Sequence, residues 1–197
     1  MDIMGEKALL KILAAILSML CMVGITESRE KDTNSYRSDR PHIDISRLEK
    51  KIHALVNEER KKKGLLVLSW DEGLHEVARK YSQDMGRRHF FSHIDPEGRC
   101  FYDRYKAAGV ECNIRIGDAI CLGAENISQD NLYSSSLYQH GETLFDWTTE
   151  DGIAESVVNR WMRSIGHRKN ILTPYFKREG LGVSLGDGKV YVTENFC

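Results

Sequence analysis

The C-terminal end constrains the fold most. Gly182-Val183-Ser184-Leu185 and Val190 to Phe196 flank Gly186-Asp187-Gly188, so two alternating runs meet at an Asp-Gly turn, which predicts a β-hairpin. Much of what precedes it is helical. Ile45, Leu48, Ile52, Leu55 and Val56 recur at helical spacing until Gly64 stops the pattern. Ser69 followed by Glu72 makes a capping box that opens a second helix, with Leu74, Val77, Ala78, Tyr81 and Met85 on one face. Phe101 to Ala108 is a shorter helical stretch ending at Gly109. Ala154 to Met162 is a third clear helix, with Val157, Val158 and Trp161 inward. Asn113 to Ser128 turns toward strand and loop, broken at Gly117 and Gly123. Gln129 to Trp147, polar and rich in Ser and Tyr, reads as a long surface excursion suited to partner specificity. No internal repeat is visible. Helices first, strands interleaved and a terminal hairpin together predict an α+β fold.

The 197 residues suffice for one domain with a sizeable core behind a short leader. Lys7 and Lys11 precede an uncharged apolar run, Ile12 to Ile25, too short for a comfortable membrane span and shaped like a secretory h-region. Gly24 and Thr26 are the small residues near its end. Residues 1–28 are therefore expected to be a cleaved signal peptide or, if retained, an N-terminal anchor. Cys21 follows Met19 and Leu20, a poor lipoprotein signal. Residues 29–44 are polar, lack apolar periodicity and read as a flexible linker. The folded domain is expected over 45–197.

Residues 1–28 hold two lysines and three acids, so the exported chain has a formal charge of zero. Such balance offers no global field for nucleic acid or an anionic membrane. The run Arg60-Lys61-Lys62-Lys63 reads as the solvated last turn of the first helix, where cations suit the dipole. Cys100, Cys112, Cys121 and Cys197 remain after the leader. In an exported domain they predict two disulfides, with three connectivities open. The short Cys112 to Cys121 spacing suits a local loop and would leave Cys100 to staple Cys197. A cysteine zinc site is the rival, but no Cys-x-x-Cys pair exists.

Three segments stand apart: Ser92-His93-Ile94-Asp95-Pro96-Glu97-Gly98, Gly123-Ala124-Glu125-Asn126-Ile127, and Trp161 to Leu172 with Gly166-His167-Arg168-Lys169-Asn170 at its centre. Each sets a His or Glu among Gly, Pro and Asn, at the end of a regular element. His93 follows the second helix, Glu125 sits at a strand end, and His167 follows Gly166, a natural stop behind the third helix. Two imidazoles and a carboxylate brought together suit a divalent metal such as zinc.

From Ile45 to the C-terminus, these segments resemble the CAP superfamily (the SCP domain of cysteine-rich secretory, antigen-five and pathogenesis-related proteins), and in particular its prokaryotic branch. The resemblance implies a three-layer α-β-α sandwich with a central antiparallel sheet. It also implies that His93, Glu125 and His167 line a central cavity, which in several members holds a divalent cation. The family often adds an acid in a Trp-x-x-Glu pattern; here that position is Ser164. Glu194, where relatives tend to carry Gln, is either its substitute as a ligand or an exposed strand carboxylate. Asn126, Arg168, Asn170 and Pro174 belong to the same signature; Asn126 is implied to be buried, and Arg168 and Asn170 to hold the loops that position His167.

Other signals fail. His75-Glu76 begins like a zinc-protease helix, but Arg79 stands where the second His is needed. Ser92 cannot pair with adjacent His93, and Ser164 before His167 lacks an orienting acid. Asn126-Ile127-Ser128 is a sequon at a position implied to be buried.

Two readings follow. One is a non-enzymatic binding module, secreted or held at the outer face of the membrane, presenting a cleft to a cation, small ligand, lipid or extracellular protein. The other is a zinc-dependent, peptidase-like hydrolase, with His93 and His167 on the metal and Glu125 as general base.

Overall fold

The structure, a computed structural model, describes residues 35–197. The expected leader, with Cys21, and the first part of the expected linker lie outside the described residues. Five helices and nine strands are found among the described residues. A four-stranded sheet, β2-β8-β9-β5, lies at the centre, made of β2 (Ser69–Trp70), β8 (Arg178–Gly186), β9 (Lys189–Phe196) and β5 (Ala124–Asn131). β2 joins β8 in parallel, and the other pairs are antiparallel. The β8–β9 turn is the predicted Asp-Gly one, with positive φ at Asp187 and Gly188.

Period-two alternation sorts the sheet residues into two faces. Leu181, Val183, Val190, Val192 and Phe196 pack with α1 (Ile45–Lys62) and α4 (Glu150–Arg163), through Leu48, Ile52, Val56, Ile153, Val157 and Trp161. Ile127 and Tyr191 face α2 (Glu72–Arg88), through Tyr81 and Met85. Leu74 and Val77 of α2 meet Tyr105 of α3 (Phe101–Ala107) and both residues of a disulfide, Cys112 and Cys197. Helices thus cover both faces, which is the expected α-β-α sandwich. Over β8, α2 comes down to the backbone itself. A Cβ at Gly180 would stand 2.0 Å from the His75 backbone nitrogen, and one at Gly182 would stand 2.0 Å from that of Arg79. Only glycine allows that approach.

Several expectations are corrected. α2 is capped by Asp71, whose Oδ1 accepts from the Leu74 amide at 2.8 Å. Ser69 is instead claimed by the β2–β8 pairing, and Glu72 accepts from the Trp70 indole. Asp71→Ala is expected to cost about 1–2 kcal/mol, read as a shift in urea midpoint at constant slope. Arg60 is not solvated: it is fully buried and donates to the carbonyls of Leu66, Ile171, Thr173 and Phe176. Lys61, Lys62 and Lys63 are exposed.

The expected linker contains β1 (Tyr36–Arg37), paired with β7 (Glu142–Trp147). The Gln129 to Trp147 excursion is the end of β5 followed by a hairpin of β6 (Tyr133–Gln139) and β7. Tyr133, Phe145 and Trp147 cluster in that hairpin, and the buried Leu132 precedes it. Gly166 stops nothing. Ser164 breaks the helix with extended backbone, and Gly166 and His167 lie within a further helix, α5 (Ile165–Ile171).

Neither expected disulfide forms. Cys112 bonds Cys197, with 5.5 Å between their Cα atoms, while Cys100 and Cys121 are free thiols. The hairpin of β3 (Ile114–Ile116) and β4 (Ala119–Cys121) sets Ile114, not Cys112, opposite Cys121. Cys112 instead turns into the apolar cluster under α2, where the chain end arrives.

Candidate functional site

β5 is an edge strand of the central sheet. Near its start, Glu125 points toward the α2–α3 layer and Asn126 toward the α1–α4–α5 layer. Gly123 makes that start. It has φ +103°, and a Cβ there would stand 2.6 Å from the Phe196 carbonyl oxygen and 2.9 Å from the Tyr105 ring.

His93 comes from the loop after α2. That loop is fixed by buried Asp95, whose Oδ1 accepts from the Glu97 and Arg99 amides while Oδ2 takes the Arg99 guanidinium. His93 Nδ1 meets Glu125 Oε1 at 2.9 Å. The other carboxylate oxygen takes Arg104 Nη2 at 2.6 Å, the Glu125 side chain being only 1% exposed. Arg104 lies over the Tyr81 ring at 3.4 Å and donates to the Arg99 carbonyl. Glu125 is therefore a buried anion held on both oxygens, by a cation on one side and an imidazole on the other.

His167 reaches the same place from α5. Its ring centroid is 6.2 Å from that of His93. Burial, and then the neighbouring His93, lower its pKa below the ordinary histidine value, so it is neutral at pH 7. Its Nδ1 is buried and lacks a hydrogen-bond partner. Asn126 donates to the His167 carbonyl and accepts from Asn170, which also donates to the Glu125 carbonyl. Arg168 bonds the Met162 carbonyl, tying α5 to α4. A cavity of about 340 Å³ opens here, lined by His93, Ile94, Cys100, Phe101, Gly123, Ala124, Glu125 and Asn170. A larger hollow of about 550 Å³ has Arg104 in its wall, but its Arg87, Arg88 and Arg99 each pair with a carboxylate already.

The structure thus brings His93, Glu125, His167, Asn126 and Asn170 together. Glu194 does not line the cavity. It is fully buried on the far face of the sheet, bonded to Asn126 and facing Glu179, so it is neither a cavity ligand nor an exposed strand carboxylate. Ser164 forms the α4–α5 break and no hydrogen bond to His167. Sequence reasoning missed Arg104 and Cys100. Arg104 is one of many arginines and carries no motif, and Cys100 reads in the sequence as half of a disulfide.

Zinc with three protein ligands does not fit these residues. Among the described residues no group of three His, Cys, Asp or Glu is arranged to hold a metal ion. Glu125 is committed to Arg104 and His93, which leaves two imidazoles.

Residues 53–196 match the CAP family, described as the cysteine-rich secretory protein family. The chain belongs to the CAP family. It is 35% identical over 138 residues to the uncharacterized protein YkwD of Bacillus subtilis, an alignment covering 70% of this chain and 43% of YkwD. The 1.5 Å structure of an extracellular SCP-domain protein from Bacillus anthracis superposes with a TM-score of 0.55 at 27% identity, over 80% of this chain and 44% of that one. An outer surface protein of Borrelia burgdorferi shares the fold with a TM-score of 0.56 at 19% identity, over 80% of this chain and 97% of that one. This chain spans less than half the length of the two Bacillus proteins. Among its described residues no helix is long and apolar enough to cross a membrane.

Proposed function

We propose that this CAP domain is an exported, non-enzymatic binding module. Its cleft takes a small ligand, or an exposed group of a larger partner, between the His93 and His167 imidazoles. The observation that carries this reading is the double engagement of Glu125 by His93 and Arg104. A general base must reach the proton it removes, and both Glu125 oxygens are already engaged, one by an imidazole and one by a guanidinium, which suits a structural anion better than a base. Its carboxylate instead holds the His93 ring, and the neutral tautomer with the proton on Nδ1 leaves Nε2 as an acceptor at the cleft. Ile94 and Phe101 give the cavity an apolar side, and Cys100 adds a thiol. The apolar run of the leader supports export, as does the extracellular nature of the Bacillus anthracis relative.

The test pairs a zinc titration of the oxidised chain with a peptidase assay in the presence of zinc. Two imidazoles without a third ligand should bind zinc weakly, losing that binding in His93→Ala/His167→Ala, and no hydrolysis should appear. Zinc-dependent hydrolysis abolished by Glu125→Gln would overturn the reading in favour of a hydrolase.

A further inference from the structure

The face of the sheet opposite Glu125 carries a feature that the cleft does not use. Asn126 of β5 and Glu194 of β9 are cross-strand partners. Leu181 of β8 pairs with Glu194 of β9, and Glu179 of β8 with Phe196 of β9, so Glu179 and Glu194 are diagonal neighbours on one face. Both carboxyls are fully buried.

Their hydrogen bonds can be followed atom by atom. Asn57 is oriented by Leu68, donating to its carbonyl and accepting from its amide. Its Nδ2 also meets His53 Nε2 at 3.3 Å, which makes that ring nitrogen an acceptor and puts the imidazole proton on Nδ1. His53 Nδ1 then donates to Glu179 Oε1 at 2.5 Å. From the other side, Asn126 Nδ2 donates to Glu194 Oε2 at 2.9 Å. Two oxygens are left, Glu179 Oε2 and Glu194 Oε1, and neither receives a donor from any other group. The two carboxyls, diagonal on one face, lie within hydrogen-bonding reach of each other. Two carboxylate oxygens can form a hydrogen bond only if one carries a proton.

The surrounding charges agree with a single shared proton. From α1 the pair is faced by His53 and by buried Arg60, which bonds backbone carbonyls and no carboxylate. Lys50 of the same helix acts on His53. From β5 and α5 come the neutral amides of Asn126 and Asn170. One buried cation against one net anion is balanced, whereas two ionised carboxylates in contact would not be. Burial, reinforced at Glu194 by the facing Glu179, pushes both carboxyls above the usual range.

We propose that Glu194 is a positioning residue of the cleft that works as a neutral carboxylic acid: its proton, shared with Glu179, fixes the Asn126–Asn170 amide chain that holds the His167 backbone. The chain of bonds runs from His53 through Glu179, Glu194 and Asn126 to Asn170, which lines the cavity. The cleft floor is thus set from the opposite layer of the sandwich, whether or not a ligand is bound.

The sign of the pH dependence follows. A folded-state carboxyl that keeps its proton above about pH 4.3, where an unfolded glutamate ionises, loses stabilisation as pH rises through that window. One proton held only in the folded state changes the unfolding constant about tenfold per pH unit. Glu194→Gln keeps both hydrogen bonds, the amide donating to Glu179 and the carbonyl accepting from Asn126, without the proton.

The experiment is urea unfolding of the oxidised chain and Glu194→Gln from about pH 5 to 9, a window that starts above the unfolded glutamate value. Histidines away from the pair contribute equally to both proteins and drop out of their difference, and the NMR measurement below separates the pair from His53, whose titration feels Glu194. The ratio of unfolding constants, wild type over variant, should climb up to about tenfold per pH unit until the pair ionises. A ratio independent of pH would overturn the proposal. A second measurement needs no variant: carboxyl-carbon NMR of the wild type should show one of the two groups protonated at pH 7. As that group titrates, the side-chain amides of Asn126 and Asn170 should shift with the same midpoint. Two carboxylates ionised throughout, or amides that stay fixed while Glu194 titrates, would overturn it equally.

Discussion

Removal of the Cys112–Cys197 bond is expected to lower the unfolding free energy by about 4–5 kcal/mol, the chain-entropy value for a closed loop approaching 100 residues. The two cysteines are 85 residues apart, and between them lie β3 to β7, helices α4 and α5 and the whole β8–β9 hairpin. Small domains have only about 5–15 kcal/mol in all, so reduction should bring this one close to unfolding at about 25 °C. The C-terminal residue is also held by its own backbone, since the Cys197 amide donates to Arg178 and its carbonyl accepts from Lys177 and Arg178. Those bonds are local and constrain no long loop. The check is the urea midpoint of the oxidised chain against Cys112→Ser/Cys197→Ser. A loss under about 1 kcal/mol, far below the entropic value, would mean that strand pairing alone secures the terminus. Cys100→Ser/Cys121→Ser, by contrast, opens no closed loop and should move the stability by about 1 kcal/mol or less, since Cys100 is the N-cap of α3, where serine is favoured, and Cys121 is only partly buried.

Arg104→Met should cost about 3–5 kcal/mol, the usual penalty for stripping one partner from a buried ion pair. The Arg104 side chain is 10% exposed and that of Glu125 1%, so solvent cannot replace the lost charge. Glu125 would keep only His93, and the His93 ring would lose the fixed anion that orients it. The double change Arg104→Met/Glu125→Gln removes the orphaned charge and should recover most of the loss. A double-mutant cycle checks this. Equal losses in the single and double variants would show that Arg104 acts by packing on Tyr81 rather than through charge.

The parts of the fold that could be read from residues are those where one side of an element is dry. Leu48, Ile52 and Val56 on α1, and Leu74, Tyr81 and Met85 on α2, stand out because a helical period survives in their spacing. The β8–β9 turn was legible because Asp187-Gly188 must take positive φ there. The β6 strand was not, since Tyr-Ser-Ser-Ser-Leu-Tyr-Gln is largely exposed and shows no alternation. At the cleft, His93, Glu125 and His167 were recognised by their motifs, but the state of Glu125 depends on Arg104, far from it in sequence and without a pattern of its own. Glu194 was harder still. A glutamate on a strand reads as solvent-facing, and its burial makes sense only once register places Asn126 opposite and Glu179 on the diagonal.

Gly180 and Gly182 of β8 act as a calibrated shim. With no Cβ at Gly180 and Gly182, α2 rests backbone against backbone on the strand, and the His93 loop hangs from the end of that helix. His167, by contrast, belongs to the layer across the sheet. The gap between the imidazoles is therefore gauged by two missing methyl groups on a strand that neither histidine touches. A single methyl at either position would raise α2 off the strand and reset the jaw of the cleft from behind.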